Sequence, residues 1–300
     1  MTMPKAIQYN KFGGPDVLHL TDVDLPAPAP GEVRVAVRAA SVNVFDVKFR
    51  QGLFGPTTFP VTPGVDLAGV VDAVGEGSEW SVGDEVFGTA RGGSYAEYAR
   101  SVNLAAKPDS VSWELAASLP TVGEAAARSL GLLGVAAGET LLIHGAAGSV
   151  GSIATQLAVS RGAQVIGSDS PARAGHVRDL GGNPVPYGDG LADQVNDLAP
   201  GGVDAVLDRT GAGVLAVSIE LAGGPDRVIT LADNDADKYG VRFSSGGADY
   251  DHTALTTLAE LAATGSLRLP IWRTYPLAEA ATAHTDIEQR RNHGKIVLIP

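Results

Sequence analysis

The sequence predicts an α/β protein: an irregular, barrel-like β domain joined to a doubly wound parallel sheet. Two observations carry this reading. Residues 1 to 120 hold many short apolar runs punctuated by glycine and proline, the pattern of a domain built from short strands. From residue 140 onward, apolar runs of strand length alternate with helix-period segments, the pattern of a parallel sheet covered on both faces. A chain of 300 residues also exceeds one typical core, which suggests two domains.

In the first region, Val33 to Val37 alternate as Val-Arg-Val-Ala-Val, a half-buried strand. Gly69 and Gly75 frame an apolar run, and Gly83-Asp-Glu-Val-Phe-Gly88 forms another short strand bounded by turns. Pro26-Ala-Pro-Ala-Pro30 reads as an extended surface link. Residues 113 to 134, rich in Ala and Leu, turn helical.

Strands are expected at 140–145, 163–168, 203–208 and 226–231, with helices between them, near 150–161 and 172–180. The first strand, with Leu141 to Ile143 at its centre, runs into three evenly spaced glycines, Gly145, Gly148 and Gly151. Val150, Ile153, Ala154, Leu157 and Ala158 then share one helix face, and Val165-Ile166 leads to Asp169. Strand, glycine turn, helix, strand and acid is the order a dinucleotide-binding unit needs. Gly145 lets the chain turn off the strand, Gly148 lets backbone approach a diphosphate, and Gly151 lets the helix pack close. The first-turn N–H groups and the helix dipole favour phosphate. A glycine-rich turn without a ligand is the alternative, and the matching strand, helix and acid on both sides favour the dinucleotide.

Thr253 to Ala263 reads as an amphipathic helix, and Lys295 to Ile299 as a last strand. The tail is expected to return to the first domain. The expected boundaries are residues 1–120 with 262–300 for one domain and 121–261 for the other.

Composition excludes several function classes. A net charge of −12 argues against a nucleic-acid partner. The absence of cysteine rules out disulfides, thiolate zinc sites and cysteine nucleophiles. The six histidines are scattered, with no pair at metal-ligand spacing, so no metal site is expected. No apolar run approaches the ~20 residues of a membrane span, and the first residues lack a signal-peptide core, so a cytoplasmic location is expected. No nucleophile-elbow context supports a hydrolase.

Seven motifs in order carry a resemblance over nearly the full length: Ser41-Val-Asn-Val-Phe-Asp46 followed by Arg50-Gln-Gly52; Pro63 to Gly69; Gly83 to Gly88; Gly93-Ser-Tyr-Ala-Glu-Tyr98; Leu119-Pro-Thr-Val-Gly123; Ile143 to Gly151 with Gln156; and Gly294-Lys-Ile-Val-Leu298. With these, the chain resembles the zinc-independent, zeta-crystallin-like quinone oxidoreductase branch of the medium-chain dehydrogenase/reductase superfamily. Ser149 departs from the branch, which usually has glycine there. Val65 stands where zinc-dependent relatives carry a ligand histidine. The resemblance implies a GroES-like catalytic domain, a Rossmann domain and a homodimer. It also implies NAD(P)H-dependent, metal-independent delivery of hydride to a small-molecule acceptor, a quinone or an α,β-unsaturated carbonyl. A cofactor-binding protein with a structural or regulatory role and little turnover is the alternative.

By the same resemblance, the segment from Asn43 lines the substrate side of the nicotinamide. Asn43 would orient the nicotinamide ribose or the acceptor carbonyl, Lys48 would donate a proton or steady an oxyanion, and Phe54 would supply an apolar wall. Asp46 is a further catalytic candidate, with pairing to Arg50 as its structural alternative. The cofactor candidates are Gly145, Ala146, Ala147, Gly148, Ser149, Val150 and Gly151 in the turn, then Thr210 at a strand end. Leu231 and Ala232 would present backbone to the carboxamide, Phe243 would close over the nicotinamide, and Asn292 and Lys295 would reach the same site. Tyr187 falls where family members place an aromatic near the adenosine. Asp169 favours NADH, because a carboxylate accepts from ribose hydroxyls and repels a 2′-phosphate. Ser168, Ser170 and Arg173 offer groups for a phosphate, and the branch itself mostly uses NADPH.

Overall fold

The computed structural model describes residues 3–300. The chain forms two compact units, Met1–Thr121 with Leu255–Pro300, and Val122–Ala254. The first unit opens with a hairpin-like pair, β1 (Lys5–Gln8) and β2 (His19–Asp22). Then come β3 (Val33–Val42), α1 (Val44–Arg50), β4 (Asp66–Val74), β5 (Glu85–Arg91), β6 (Tyr98–Ala106) and α2 (Trp113–Ser118). Helix α3 (Pro120–Leu133) leads into the second unit. There the order is β7 (Thr140–His144), α4 (Ser149–Ser160), β8 (Gln164–Asp169), α5 (Ala174–Asp179), β9 (Asn183–Pro186), α6 (Leu191–Leu198), β10 (Ala205–Asp208), α7 (Leu215–Ala222), β11 (Val228–Thr230) and β12 (Arg242–Phe243). Helix α8 (Ala254–Ala263), β13 (Ile271–Pro276), α9 (Ala280–Glu288) and β14 (Lys295–Ile299) complete the first unit.

The first unit's main sheet runs β13-β14-β3-β4-β5-β6, and β3 also pairs with β6. That extra pairing turns β3 to β6 into a closed barrel. The register of β3 on β4 shifts at Arg34/Val35 and at Val37/Ala39, and such bulges bend a strand as closure requires. Alternation along β3 sends Val33, Val35 and Val37 into the core, where they meet Ile7, Leu67, Val86, Tyr95 and Leu298. This is the GroES-like architecture that the sequence led us to expect.

The second unit is a six-stranded, wholly parallel sheet ordered β12-β11-β10-β7-β8-β9. Leu141, Leu142 and Ile143 on the central strand are fully buried, as a strand covered on both faces must be. The chain runs outward from β7 to β9, then returns to β10 on the other side. Strand order therefore reverses between β7 and β10, and such a switch point leaves a crevice at the strands' carboxyl ends. The doubly wound Rossmann-like sheet is thus present. Two short edge strands, β9 and β12, add to the strands read from sequence. Among the described residues no helix is long and apolar enough to cross a membrane.

Candidate functional site

The glycine turn joins β7 to α4. Gly145 takes φ of +78°, a left-handed conformation that favours glycine. Its N–H and that of Ala146 donate to the Ser168 carbonyl at 2.7 and 3.2 Å, which ties the turn to β8. Gly148 is the N-cap of α4, and no side chain caps the helix there. The first-turn N–H groups of a helix have no intrahelical partner and sit at the positive end of its dipole, so they suit an anion. A methyl group on Gly151 would lie 2.4 Å from the Gly145 carbonyl oxygen and 2.7 Å from Ala146 Cα. Gly151 therefore lets α4 press onto the turn. The backbone of Gly145 to Gly151, with Ala146, Ala147, Ser149 and Val150 between, has the elements of a diphosphate cradle, and the Arg209 side chain lies over Gly148.

Asp169 ends β8 beside this turn. Its Oδ2 accepts from the Ala147 N–H at 3.0 Å and its Oδ1 from the Ser170 N–H at 2.8 Å. The Tyr187 N–H donates to the Asp169 carbonyl, and the exposed Tyr187 ring stands near this strand end. Arg173 is half-buried just beyond.

Ser168 is not brought to the same surface. Its side chain is buried and its hydroxyl lies 2.8 Å from His144 Nδ1. Proton counting sets the directions. Ser218 spends its hydroxyl proton on the Val214 carbonyl at 2.6 Å, so it accepts from His144 Nε2–H at 3.1 Å. Nδ1 is then the acceptor, and Ser168 donates to it. Burial pushes the His144 pKa down to about 4, against the pull of Asp208. Ser168 thus offers a phosphate no hydroxyl; its side chain holds a neutral histidine beneath the turn.

At the next strand ends, buried Asp208 gathers the Thr210 N–H and hydroxyl at 2.8 and 2.7 Å and the Thr230 hydroxyl at 2.8 Å. Thr230 Oγ1 in turn accepts from the N–H groups of Ala232 and Asp233. The Thr210 hydroxyl is therefore engaged within its own loop. Leu231 and Ala232 are half-buried beyond β11, and Phe243 is exposed on β12.

In the first unit, Asn43, Asp46 and Lys295 come together in a buried polar cluster with Asp66. Asn43 precedes α1, and its backbone N–H donates to Asp46 Oδ2 at 2.8 Å, so Asp46 caps the helix start. Tyr95 donates to the same oxygen at 3.1 Å. Burial raises the Asp46 pKa to about 7, with the Asn43 N–H opposing and Asp66 reinforcing the rise. The Asn43 side chain donates to Asp66 Oδ2 at 3.0 Å and accepts from Lys295 Nζ at 2.6 Å. Burial raises the Asp66 pKa and lowers that of Lys295, and each partner's charge resists the other's shift.

Asp46 does not pair with Arg50. The fully buried Arg50 is bound by Glu288 of α9, which also accepts from Gln51. Lys48 is exposed on α1, apart from the buried cluster. Phe54 packs against Phe45 with ring centroids 4.9 Å apart and the rings tilted by 31°, and both rings are exposed. Asn292 lies near the start of β14, where its side chain donates to the Gly294 carbonyl at 2.8 Å. Among the described residues no group of three or more His, Cys, Asp or Glu could hold a metal.

Comparison with known proteins fits this architecture. Residues 29–109 match the alcohol dehydrogenase GroES-like domain family, and residues 185–298 match the zinc-binding dehydrogenase family. The quinone oxidoreductase of Pseudomonas aeruginosa is 34% identical over 325 residues, spanning 99% of this chain and 100% of the relative. The Escherichia coli quinone oxidoreductase solved in complex with NADPH is 26% identical, with a TM-score of 0.88 over 99% of this chain and 100% of that one. A solved NAD-dependent alcohol dehydrogenase is 30% identical, with a TM-score of 0.86 over 99% of each chain.

Proposed function

Because this chain belongs to the quinone oxidoreductase branch of the medium-chain dehydrogenase/reductase superfamily, we propose that it is an NAD(P)H-dependent oxidoreductase acting on a quinone or an α,β-unsaturated carbonyl. The observation that carries the reading is the uncapped start of α4 behind Gly145, Gly148 and Gly151, in a chain that aligns end to end with quinone oxidoreductases. When bound, a reduced nicotinamide supplies the hydride. The turn residues 145 to 151 hold the diphosphate by backbone N–H groups. Leu231 and Ala232 present backbone to the carboxamide, and Phe243 covers the ring. Asp169 keeps acceptor capacity for ribose hydroxyls after taking two backbone donors.

Asn43 is the orienting group, because one amide proton remains after its bond to Asp66. Lys48 is the cation available to a developing oxyanion. Asp46 acts as a positioning residue through the start of α1. The exposed Phe45 and Phe54 rings suit a flat, apolar acceptor. A quinone oxygen can take its proton from water, so positioning outweighs any single acid. Hydride transfer to such an acceptor also needs no metal Lewis acid, in keeping with Val65 at the ligand-histidine position.

Asp169 favours NADH, whereas the Escherichia coli relative was solved with NADPH. The reading is use of both, with NADH preferred. Fluorescence titration with each reduced cofactor tests it, and NADPH binding tenfold tighter than NADH rejects the preference. Oxidation of the bound cofactor is then followed by absorbance against a panel of quinones and enones. Binding without turnover across the panel would assign the chain a structural or regulatory role instead.

A further inference from the structure

Strand β12 is two residues long, and its Phe243 ring is exposed. Neither a long ladder nor core packing therefore fixes the ring. The next residue is held differently. Ser244 is buried, and its N–H donates to the Thr230 carbonyl at 3.0 Å. Its hydroxyl oxygen accepts from Arg128 Nη1 of α3. Arg128 Nε donates to Glu124 Oε1 at 2.8 Å, one helical turn away, and both side chains are buried. The same Oε1 accepts from the Asp251 N–H at 3.0 Å. One buried ion pair thus grips both ends of the segment that follows Phe243. Between those ends Gly246 and Gly247 turn the chain at φ of +92° and +66°, and Arg242 pairs with Asp249 at 2.8 Å. All of these residues belong to the second unit.

Resting on the reading that Phe243 covers the nicotinamide, we propose that Arg128, held by Glu124, is a positioning residue for the cofactor: its bond to Ser244 fixes the Phe243 ring against the nicotinamide. A buried ion pair is a weak source of stability, since desolvation offsets the attraction, and apolar residues fill such a place as well. What the pair adds is geometry. A planar guanidinium binds Glu124 through one nitrogen and Ser244 through another, which sets the backbone beside Phe243 relative to α3.

The test is a double-mutant cycle on affinity, measured by calorimetry with NADH and with ADP-ribose, which lacks the nicotinamide. Arg128→Ala would leave Glu124 buried and unpaired, so the cycle uses Ser244→Ala, Phe243→Ala and the two together. Phe243→Ala weakens NADH by about threefold to tenfold, the worth of an aromatic contact, and leaves ADP-ribose unchanged. Ser244→Ala weakens NADH by part of that factor and also spares ADP-ribose. The double variant matches Phe243→Ala, because Ser244 acts through the ring. Arg128→Lys keeps a charge beside Glu124 without the planar fork and behaves as Ser244→Ala does. Unchanged NADH affinity in Ser244→Ala overturns the proposal, as do additive losses in the double variant. Equal loss of both ligands in Ser244→Ala also overturns it, since the bond then holds the unit and not the ring. Those results leave the dinucleotide reading standing. Phe243→Ala with wild-type NADH affinity defeats the placement of Phe243 and this proposal together, and a wild-type chain that binds neither ligand defeats the dinucleotide reading as well.

Discussion

Lys295 donates to the Asn43 side-chain oxygen at 2.6 Å, across a sequence separation of 252 residues. The bond decides how the Asn43 amide lies. An ammonium can only donate, so the carbonyl end faces Lys295 and the amide nitrogen faces the Asp66 carboxylate. The last strand thereby orients a side chain at the end of β3.

We expect Lys295→Met to destabilise the protein by about 3 kcal/mol in urea unfolding, because removing one partner leaves the buried Asp66 charge uncompensated. Adding Asp66→Asn should recover part of that loss, since the orphaned charge is then gone. A double variant as unstable as the sum of the two single changes would contradict the coupling.

Two glycines in one turn should fail in different ways. Gly148→Ala pushes a methyl against the flexible end of Arg209, which can move aside. This variant should fold normally and lose cofactor affinity by at least tenfold, because the close backbone approach is blocked. Gly151→Ala drives its methyl into backbone at Gly145 and Ala146. We expect that variant to lose about 1–3 kcal/mol of stability. Thermal melts beside cofactor titration check both, and a stable Gly151→Ala would contradict the packing argument.

Acid should weaken the fold through its buried histidines. Burial pushes His144 down to about 4, while burial with the nearby Arg50 charge takes His284 to about 3. Unfolded histidine binds a proton near pH ~6.5. The stability these groups confer is therefore full above that pH and falls as pH drops toward about 4. Asp46 runs the other way: its folded pKa of about 7 exceeds the unfolded value, so its favourable share is lost as pH rises through neutrality. His284→Gln should flatten the acid limb by up to about 1.4 kcal/mol per pH unit. Unfolding curves from pH ~4 to ~6.5 that match wild type would refute this.

Lys48→Ala should leave stability within about 0.5 kcal/mol, because the side chain is exposed. We expect kcat/KM with an accepted quinone to fall about tenfold through loss of a cation near the developing charge. Unchanged turnover would remove Lys48 from the mechanism.

Much of this was legible because it is local. The apolar run Leu141 to Ile143, the glycine spacing and Asp169 all lie within one stretch, and the run and the spacing formed the strand and turn that the pattern implies, whereas the bond from the Ala147 N–H to Asp169 carries no mark in the sequence. β9 was hidden because Pro184 and Pro186 suit an edge strand and carry no strand signal. β12 has only two residues, too few for any periodicity. Asp46 and Arg50 have the four-residue spacing of a helical ion pair, but α9 brings Glu288 to Arg50 instead. Ser168 lies one residue before Asp169, so strand alternation turns its side chain to the other face, onto His144. Arg209 reaches the turn from a loop some 60 residues on in the chain, and no motif marks such a contact.

β14 lies inside its sheet, held by β13 on one edge and β3 on the other, with Ile296 opposite Val42. During translation the β3 edge emerges from the ribosome early, and its neighbour is made only after the whole of the second unit. An apolar, open edge in that interval is a template for mispairing. Substitutions in residues 295–299 should therefore register first as poor yield and aggregation, well before any change in the folded protein.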